Sequence, residues 1–572
     1  MHRRFMATAA LVGCLVATSA APAAAQRAGW WGQPSVCTER VSLAADGAAA
    51  DADSLAVGMS DSGQHVVFTS VAGNLVSGDD NRNRDVFVRD RVRGITHRVG
   101  GSPAAADDGA FGADEAFLSG DGSTVAFVAL ASRATLNAPW RCGAPGAIPR
   151  RPCVLTQRLD GFDLNVVDRA AGATRSDGAS RWPALSRDGF LAAFWSTSAD
   201  LVTGDAGADA DVFVADLGTG AVERISRGGP DEPDGPSGAV GVDGAEAVAL
   251  SRDGRFVVFA SRATNLVAPP ADGESHVYVV DRQLGVTDRL DDGSLSGGRI
   301  VTSALAGRQT ISDDGRIVVF GAMVVPAAGG APVQSLVLGD RGSDRFISLG
   351  AIADGRIVPA IGSVAVLSGD GRYVAYAAGS AAAAPGAGMP PADIYVHDRV
   401  EHLWRRISVA PDGKPADRPA GGTMHDDLSI TADGRQVAWA SAATNIVPDD
   451  VEGHADVFVT WPCDRTPNGA PTATPTRAAS PSPVPSATPP PTAPARCICA
   501  EARRLLPPAI LDAAAAHPDG VYGWRLGLNV ARRVGAANPP RECLSVRNPN
   551  VPYHPMWNGP MYIVGCRQAG QP

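Results

Sequence analysis

The chain has 572 residues and a formal net charge of −10 at pH 7, from 60 acidic and 50 basic residues. An acidic chain with no basic stripe is a poor candidate for a nucleic-acid-binding protein, so we expect no nucleic-acid partner. The length would accommodate several domains, although an internally repeated fold can account for most of it.

The N-terminal residues 1–25 have the features of a secretory signal peptide. Arg3 and Arg4 precede a short apolar segment, which is followed by the small residues Ala23-Ala24-Ala25. This segment is too short to be a membrane span, and no other stretch of the sequence is long and apolar enough to cross a bilayer. The sequence therefore predicts an exported chain that is periplasmic, cell-surface or secreted and has no transmembrane segment.

Leu11–Cys14 also matches a lipoprotein box, which would anchor the chain through a lipid on Cys14. A polar tether is expected after such a cysteine, whereas apolar residues follow Cys14, so we favour removal of the signal peptide over lipid anchoring. Its removal would leave eight of the nine cysteines, an even number of the kind expected in an oxidising compartment.

One phrase recurs seven times and organises residues 37–463. Its clearest copy is LSRDGRFVVFAS at Leu250–Ser261, in which a strand ends at Leu-Ser, an Asp-Gly turn follows and a second strand begins. The other copies begin at Met59, Leu118, Leu185, Ile311, Leu367 and Ile430. The second strand is apolar without alternation, which predicts that both of its faces are covered.

A second phrase follows the first in each of the first six units and predicts a third and a fourth strand. It reads DVFVRDRVRGITHRV from Asp85. The other copies begin at Phe162, Asp211, His276, Ser335 and Asp393. Four short strands in a unit of about 60 residues are typical of a β-propeller blade.

The predicted third strand ends in an aspartate that recurs in six units. These residues are Asp90, Asp168, Asp216, Asp281, Asp340 and Asp398. A catalytic centre needs one such residue and not six. We therefore predict that each aspartate accepts backbone N–H groups across the turn to the fourth strand.

The two phrases together resemble the TolB-like family of propeller repeats. In that family a Ser-x-Asp-Gly-x-x-hydrophobic-aromatic strand precedes an Ile-Tyr-Val-x-Asp strand, and the resemblance covers residues 37–463. It implies a β-propeller fold and suggests protein partners in the cell envelope. The α/β domain that precedes the propeller in TolB has no counterpart in this sequence, so the particular partners of TolB are not carried over.

The ends of the repeat region predict how the ring closes. The seventh unit stops after its third strand at residues 456–463, and a fourth strand of the matching type occurs at Cys37–Ser42. An N-terminal strand that completes the last blade leaves no free sheet edge. We therefore predict an all-β fold: a seven-bladed β-propeller of four-stranded blades, closed by the N-terminal strand and by a disulfide between Cys37 and Cys463.

The other cysteines predict further disulfides. Cys142 and Cys153 lie in a Pro/Gly/Arg-rich insertion of the second unit and are expected to pair with each other. Residues 464–495 are rich in Pro, Thr and Ser and predict a semi-rigid linker, which leads to a small module at residues 496–572. The module contains Cys497, Cys499, Cys543 and Cys566. The first two should each pair with one of the last two, in an order that the sequence leaves open.

Acidic loops between the second and third strands are candidate calcium sites. The first unit offers Asp79, Asn81, Asn83 and Asp85, and the third unit offers Asp205, Asp209 and Asp211. Alternating oxygen ligands can wrap a hard cation, but the turn glycine and the final glutamate of a calcium loop are missing. Asx turns explain the same residues without a metal, so we expect no cofactor and keep calcium as the alternative.

No residue pattern in the repeats supports catalysis. Gly293–Gly297 matches G-x-S-x-G but falls in a predicted loop, without the strand and helix that a nucleophile elbow needs. The sequence therefore favours a non-enzymatic binding or scaffold protein of the cell envelope that recognises a protein, peptide or glycan. The alternative is a hydrolase or lyase acting on polysaccharide or peptide at the propeller channel.

Overall fold

The computed structural model describes residues 30, 35–79, 83–100, 112–130, 152–161, 164–169, 178–205, 209–227, 248–268, 271–291, 294–296, 298–305, 307–353, 356–359, 364–379, 392–420, 428–450 and 453–463. Every helix or strand assigned within these ranges is a β-strand. In the same ranges, no helix is long and apolar enough to cross a membrane. The predicted signal peptide, linker and C-terminal module with its disulfides lie outside the described residues and stay predictions.

The strands form the seven blades that the sequence predicts. The first strand, β1 (Val36–Arg40), belongs to the last blade. Blade 1 comprises β2 (Ser54–Met59), β3 (His65–Ser70), β4 (Asp85–Asp90) and β5 (Ile95–Val99). Blade 2 comprises β6 (Gly112–Leu118), β7 (Thr124–Leu130), β8 (Pro152–Arg158) and β9 (Leu164–Val166). Blade 3 comprises β10 (Ser180–Leu185), β11 (Leu191–Ser196), β12 (Asp211–Asp216) and β13 (Val222–Arg224). Blade 4 comprises β14 (Val248–Leu250), β15 (Phe256–Ser261), β16 (His276–Asp281) and β17 (Val286–Arg289).

The remaining three blades follow the same order, with one addition in blade 5. Blade 5 comprises β18 (Ser294–Ser296), β19 (Gly298–Leu305), β20 (Ile317–Pro326), β21 (Val333–Asp340) and β22 (Arg345–Ser348), the short β18 being the extra strand. A separate hairpin of β23 (Gly350–Ala353) and β24 (Arg356–Pro359) precedes blade 6. Blade 6 comprises β25 (Ala365–Leu367), β26 (Tyr373–Gly379), β27 (Ala392–Asp398) and β28 (Leu403–Arg406). Blade 7 comprises β29 (Leu428–Ile430), β30 (Val437–Ser441), β31 (Asp456–Pro462) and β1.

The turn between the first two strands of a blade is held by its own polar side chains. In blade 4 the hydroxyl of Ser251 donates to Asp253 at 2.6 Å and accepts the N–H of Phe256 at 2.9 Å. Gly254 has φ +74°, which is why glycine suits this position. The same Ser/Thr-to-Asp bond recurs at Ser119, Ser186, Ser312, Ser368 and Thr431.

The recurring aspartate at the end of the third strand has the role predicted for it in five of the six units. Asp281 accepts the N–H groups of Gln283 and Leu284, at 3.0 and 3.2 Å. Equivalent bonds to turn N–H groups are made by Asp90, Asp216, Asp340 and Asp398. The prediction was wrong for Asp168, because the third strand of blade 2 is Pro152–Arg158 and Asp168 follows the fourth strand.

The core consists of apolar side chains that pack between neighbouring blades. Both faces of the second strand are covered, as predicted, and all six residues of Phe256–Ser261 are buried. An aromatic side chain of the second strand lies against one of the third in five blades, with ring centroids 5.1 to 6.4 Å apart. These pairs are Phe68–Phe87, Phe194–Phe213, Phe259–Tyr278, Tyr376–Tyr395 and Trp439–Phe458.

The ring closes as predicted. Strand β1 pairs antiparallel with β31, with Cys37 opposite Trp461 and Arg40 opposite Phe458. Cys37 and Cys463 form a disulfide, with their Cα atoms 5.0 Å apart. The sequence did not reveal a second attachment: the fully buried Trp30 packs between blades 6 and 7, and its indole N–H donates to the Gly434 carbonyl at 2.7 Å.

Two local assignments from the sequence were wrong. Cys153 lies inside strand β8 rather than in an insertion; it is buried and disulfide-bonded, and its predicted partner Cys142 lies outside the described residues. The G-x-S-x-G match includes β18, a short strand parallel to β22, where a loop was predicted. An edge strand of this kind is not the strand-turn-helix of a nucleophile elbow.

The two faces of the ring differ in their connections. On one face, here named the turn face, the first and second strands of blades 2, 3, 4 and 6 are joined by the same short Ser-x-Asp-Gly turn, and blade 1 has a turn of the same length with Ser62 in place of the aspartate. The opposite face, named the loop face, carries the connections between second and third strands and between blades. The connections between second and third strands range in length from residues 327–332 in blade 5 to residues 131–151 in blade 2.

Candidate functional site

The first strands of the blades surround the central channel, and the residue after each Ser/Thr of the turn phrase lies at its end on the turn face. These residues are Asp61, Gly120, Arg187, Arg252, Asp313, Gly369 and Ala432. Backbone bonds tie neighbouring members together, as from Asp61 N–H to the Gly120 carbonyl at 2.7 Å and from Arg187 N–H to the Arg252 carbonyl at 2.7 Å. We name this set the channel-end ring.

The four charged members of the channel-end ring pair with one another. Arg252 Nε lies 2.6 Å from Asp61 Oδ1, and Arg187 Nε lies 2.9 Å from Asp61 Oδ2. Arg252 Nη1 also lies 3.5 Å from Asp313, whose pKa is raised by burial and by the negative charge of Asp61. A Cβ added at Gly120 would stand 2.8 Å from Asp61 Oδ2, so the missing side chain leaves the space in which the pairs form.

Arg308 reaches across the channel from blade 5 to the opposite blades. The buried guanidinium donates to the carbonyl oxygens of Glu115 at 2.8 Å, Pro183 at 3.0 Å and Ala116 at 3.1 Å. The charge also lies 5.4 Å from the ring centroid of Trp182. One buried cation therefore joins blade 5 to blades 2 and 3 by charge-assisted hydrogen bonds and a cation–π contact.

The carboxylate of Glu115 completes this layer. One of its oxygens lies 2.7 Å from Arg181 Nη1, and the other accepts the N–H of Trp182 at 2.8 Å. Glu115 and Trp182 both have φ +54°, within irregular stretches of the first strands of blades 2 and 3. A positive φ is unfavourable for bulky residues. The contacts of Arg308 and Glu115 therefore stabilise a backbone conformation that costs free energy at Glu115 and Trp182.

These contacts decide what the described part of the channel can do. Its carboxylates and guanidinium groups bind one another, at mid-height around Arg308 and at the channel-end ring. Asp61 in particular is held between the guanidinium groups of Arg187 and Arg252.

An arginine side chain lies beside the carboxylates of each of these two acidic loops. Arg98 Nη1 lies 3.4 Å from Asp79 and 3.8 Å from Asp85 in blade 1. In blade 3 Arg224 is placed in the same way between Asp205 and Asp211, at 3.6 and 3.8 Å. A guanidinium group thus lies between the carboxylates that calcium would bridge.

The other predicted calcium ligands are Asn81, Asn83 and Asp209. Asn83 is partly exposed, Asp209 is exposed, and Asn81 lies outside the described residues. Within the described ranges, no three acidic, histidine or cysteine side chains come together in a way that could hold a metal ion. Calcium binding stays a prediction.

A buried cluster around His276 in blade 4 was not found from the sequence. Its imidazole Nδ1 lies 2.7 Å from Asp291 and its Nε2 lies 2.7 Å from Asp272. Burial opposes protonation of His276, but the bonds to the two carboxylates outweigh it and raise its pKa. Ser303 donates to Asp291 at 2.5 Å, so the hydroxyl bonds the carboxylate and not the imidazole as a catalytic triad requires.

The repeat contained a signal for this cluster. In blades 3, 6 and 7 the third strand begins with an aspartate that accepts a serine hydroxyl from the fourth strand, as Asp211 does from Ser226 at 2.6 Å. Blade 4 has His276 in place of the aspartate and Asp291 in place of the serine. In blade 4 the carboxylate is therefore on the fourth-strand side of this contact. An alignment of the repeat units would have shown that His276 and Asp291 replace the usual aspartate and serine.

No protein-family model matches the chain, and no curated protein matches it. Among solved structures, it is similar to an oligogalacturonate lyase from Vibrio parahaemolyticus, with 12% identity, a TM-score of 0.41 and coverage of 75% of this chain and 97% of that one. The β-propeller domain of the Trilobed protease from Pyrococcus furiosus gives 10% identity, a TM-score of 0.41 and coverage of 72% and 95%. TolB from Acinetobacter baumannii gives 14% identity, a TM-score of 0.30 and coverage of 66% and 76%.

The class that the chain's own strands define is a closed seven-bladed β-propeller. Solved structures similar to it include TolB proteins and other β-propeller proteins. At these identities and TM-scores the likenesses support no inference about activity.

Proposed function

We propose that this chain is an exported, non-enzymatic scaffold of the cell envelope that binds a protein, peptide or glycan on its loop face. The observation that carries the proposal is the unequal length of the loop-face connections beside the uniform turns of the turn face. Binding proteins place variable loops on one side of a rigid scaffold, since loops change without disturbing the core.

Two further observations support the proposal. The hydrogen bonds of Arg308 and the charge pairs of the channel-end ring join blades across the channel, which makes the propeller a rigid support for the loop-face connections. The Cys37–Cys463 disulfide fits an oxidising compartment outside the cytoplasm, such as the periplasm or the cell surface.

A binding experiment on the full chain tests the proposal. Immobilised chain is titrated with peptidoglycan fragments, envelope polysaccharides and purified envelope proteins. Two variants change the sign of exposed charges, Asp412→Arg on the loop face and, as a control, Arg93→Glu on the turn face. We expect the loop-face variant to weaken binding of at least one ligand tenfold and the turn-face variant to leave it unchanged.

Two results would count against this function. Equal effects of both variants would show that the loop face is not the binding surface. Release of new reducing ends, unsaturated uronates or peptide fragments during the incubation would instead support the hydrolase or lyase alternative.

A further inference from the structure

An arginine on the turn face forms a repeated contact within four blades. It follows the aspartate that ends the third strand, at Arg91, Arg282, Arg341 and Arg399. In each case Nη1 donates to the carbonyl of the turn glycine in the same blade, at 2.6 Å for Arg282, 2.6 Å for Arg341 and 2.7 Å for Arg399. Arg91 donates to Gly63 in the same way. In all four blades the guanidinium group is therefore held by the carbonyl of the equivalent turn glycine.

In three of the four blades the same guanidinium also pairs with a carboxylate of the preceding blade. Arg282 lies 3.1 Å from Glu223, and Arg341 lies 2.8 Å from Asp288. Arg91 lies 2.5 Å from Glu39 on β1 and joins blade 1 to blade 7. The pair is thus a repeated ionic contact between the fourth strand of one blade and the third-to-fourth turn of the next.

In blade 5 the position equivalent to Glu223 and Asp288 carries no carboxylate. Strand register identifies the equivalent position: Asp288 pairs with Val279, and Ile347 pairs with Leu338, each partner being two residues before the aspartate of its strand. Ile347 therefore stands where the other seams have Glu or Asp. Arg399 is partly buried and forms no ion pair within the described residues, and burial lowers its pKa.

The charges of Asp340, Asp370 and Asp314 act on Arg399 without forming an ion pair with it, and the seam also carries partly exposed apolar side chains. Ile347 is 44% exposed, Val400 is 63% exposed and Leu403 is 38% exposed. Nearby His397 is buried, stacks on Trp404 with ring centroids 4.4 Å apart, and makes no hydrogen bond within the described residues. The seam between blades 5 and 6 thus contains an oriented guanidinium group beside exposed apolar side chains. The equivalent arginines at the other seams have a carboxylate partner, and among the described residues Arg399 has none there.

We propose that this seam, formed by Arg399, Ile347, Val400 and Leu403, binds an acidic residue of a protein partner that is flanked by apolar residues. The partner's carboxylate would take the place that Glu223 and Asp288 fill at the other seams, bonded to the free side of the guanidinium. Its apolar neighbours would cover the exposed side chains. The site lies on the turn face and does not depend on the loop-face binding proposed above.

The test uses two pentapeptides, Leu-Leu-Glu-Leu-Leu and Leu-Leu-Gln-Leu-Leu, labelled with fluorescein at the N-terminus and amidated at the C-terminus so that only the first has a peptide carboxylate. Each is mixed with the full chain at low ionic strength, and binding is followed by fluorescence anisotropy. We expect the Glu peptide to bind about tenfold more tightly than the Gln peptide, since a charge-assisted hydrogen bond is formed only by the former. We expect added salt to reduce this preference.

Three variants make the result specific. Ile347→Glu supplies the carboxylate within the chain and should abolish the preference while raising the melting temperature, so loss of binding cannot be ascribed to unfolding. Arg399→Gln should abolish the preference as well. Asp288→Ile removes the carboxylate at the seam of blades 4 and 5 and should create a second binding site there. Equal binding of the two peptides, no binding at millimolar peptide, or an unchanged preference in Ile347→Glu would overturn the proposal.

Discussion

The substitution His397→Phe is expected to stabilise the chain, and more strongly in acid than at neutral pH. His397 is 3% exposed and stacks on Trp404 with an interplanar angle of 5°. Neither ring nitrogen has a hydrogen-bond partner within the described residues. Phenylalanine keeps the stacked ring and removes both unsatisfied nitrogens, which at neutral pH is worth about 1–3 kcal/mol.

The pH dependence follows from the pKa of the same side chain. Burial lowers the pKa of His397 to about 4, and the positive charges of His402 and Arg399 act in the same direction, against a weaker opposing effect of Asp398. In the unfolded chain the imidazole titrates near 6.5, so the unfolded state binds more protons between about pH 6.5 and pH 4. The associated stability is present above pH 6.5 and is lost as pH falls, by about 2 kcal/mol at pH 5.

Differential scanning calorimetry of wild type and His397→Phe at pH 8 and pH 5 measures this effect, since other titrating groups act alike in both. A propeller of this size shifts by about 1 °C per kcal/mol, so the variant should gain about 1–3 °C at pH 8 and about 2 °C more at pH 5. His97→Asn, at an exposed histidine of strand β5 in blade 1, is the control and should show little change. A variant that follows the wild type at both pH values, or loses stability at pH 5, would refute the reasoning.

Further outcomes follow from the other contacts. Replacement of Cys37 and Cys463 by serine should lower the melting temperature, because the disulfide closes a loop with a sequence separation of 426. The chain-entropy model limits the stabilisation by this disulfide to about 6 kcal/mol. Equal melting temperatures of the two forms would show that strand pairing is enough to close the ring. Arg308→Met should cost about 3 kcal/mol or more by denaturant titration, since the backbone carbonyls of Glu115, Ala116 and Pro183 lose a buried cation. A loss below about 1 kcal/mol would contradict its role across the channel. His276 has a raised pKa, so its stabilisation is complete below pH 6.5 and lost as pH rises through the folded value; melting curves from pH 6 to pH 9 should be flatter for His276→Gln. Because arginines lie between the carboxylates of the acidic loops, millimolar calcium should leave the melting temperature as it is in EDTA, and a rise of several degrees would show that the loops bind it.

The sequence by itself determined the parts of the fold that depend on hydrogen bonds between near neighbours. All hydrogen bonds of the Ser-x-Asp-Gly turn, as in Ser251, Asp253 and Gly254, lie within six residues. Each copy of the turn therefore predicts a hairpin from the local sequence alone. Seven copies and a matching strand at each end were enough to predict the blade number, the closure and the Cys37–Cys463 bond. The repeat pattern predicted the third strand of blade 2 wrongly. The phrase that begins at Phe162 resembles a third strand, but the third strand lies earlier, at Pro152–Arg158.

Only the tertiary structure decided which side chains meet across blades. Arg308 lies 193 residues from Glu115 and 125 from Pro183, and nothing in their spacing indicates that one guanidinium binds both carbonyls. The empty partner position beside Arg399 became visible only when strand register placed Ile347 opposite it. The physical reason is that a turn is stabilised by atoms close in the chain, whereas a contact between blades depends on how the whole ring closes.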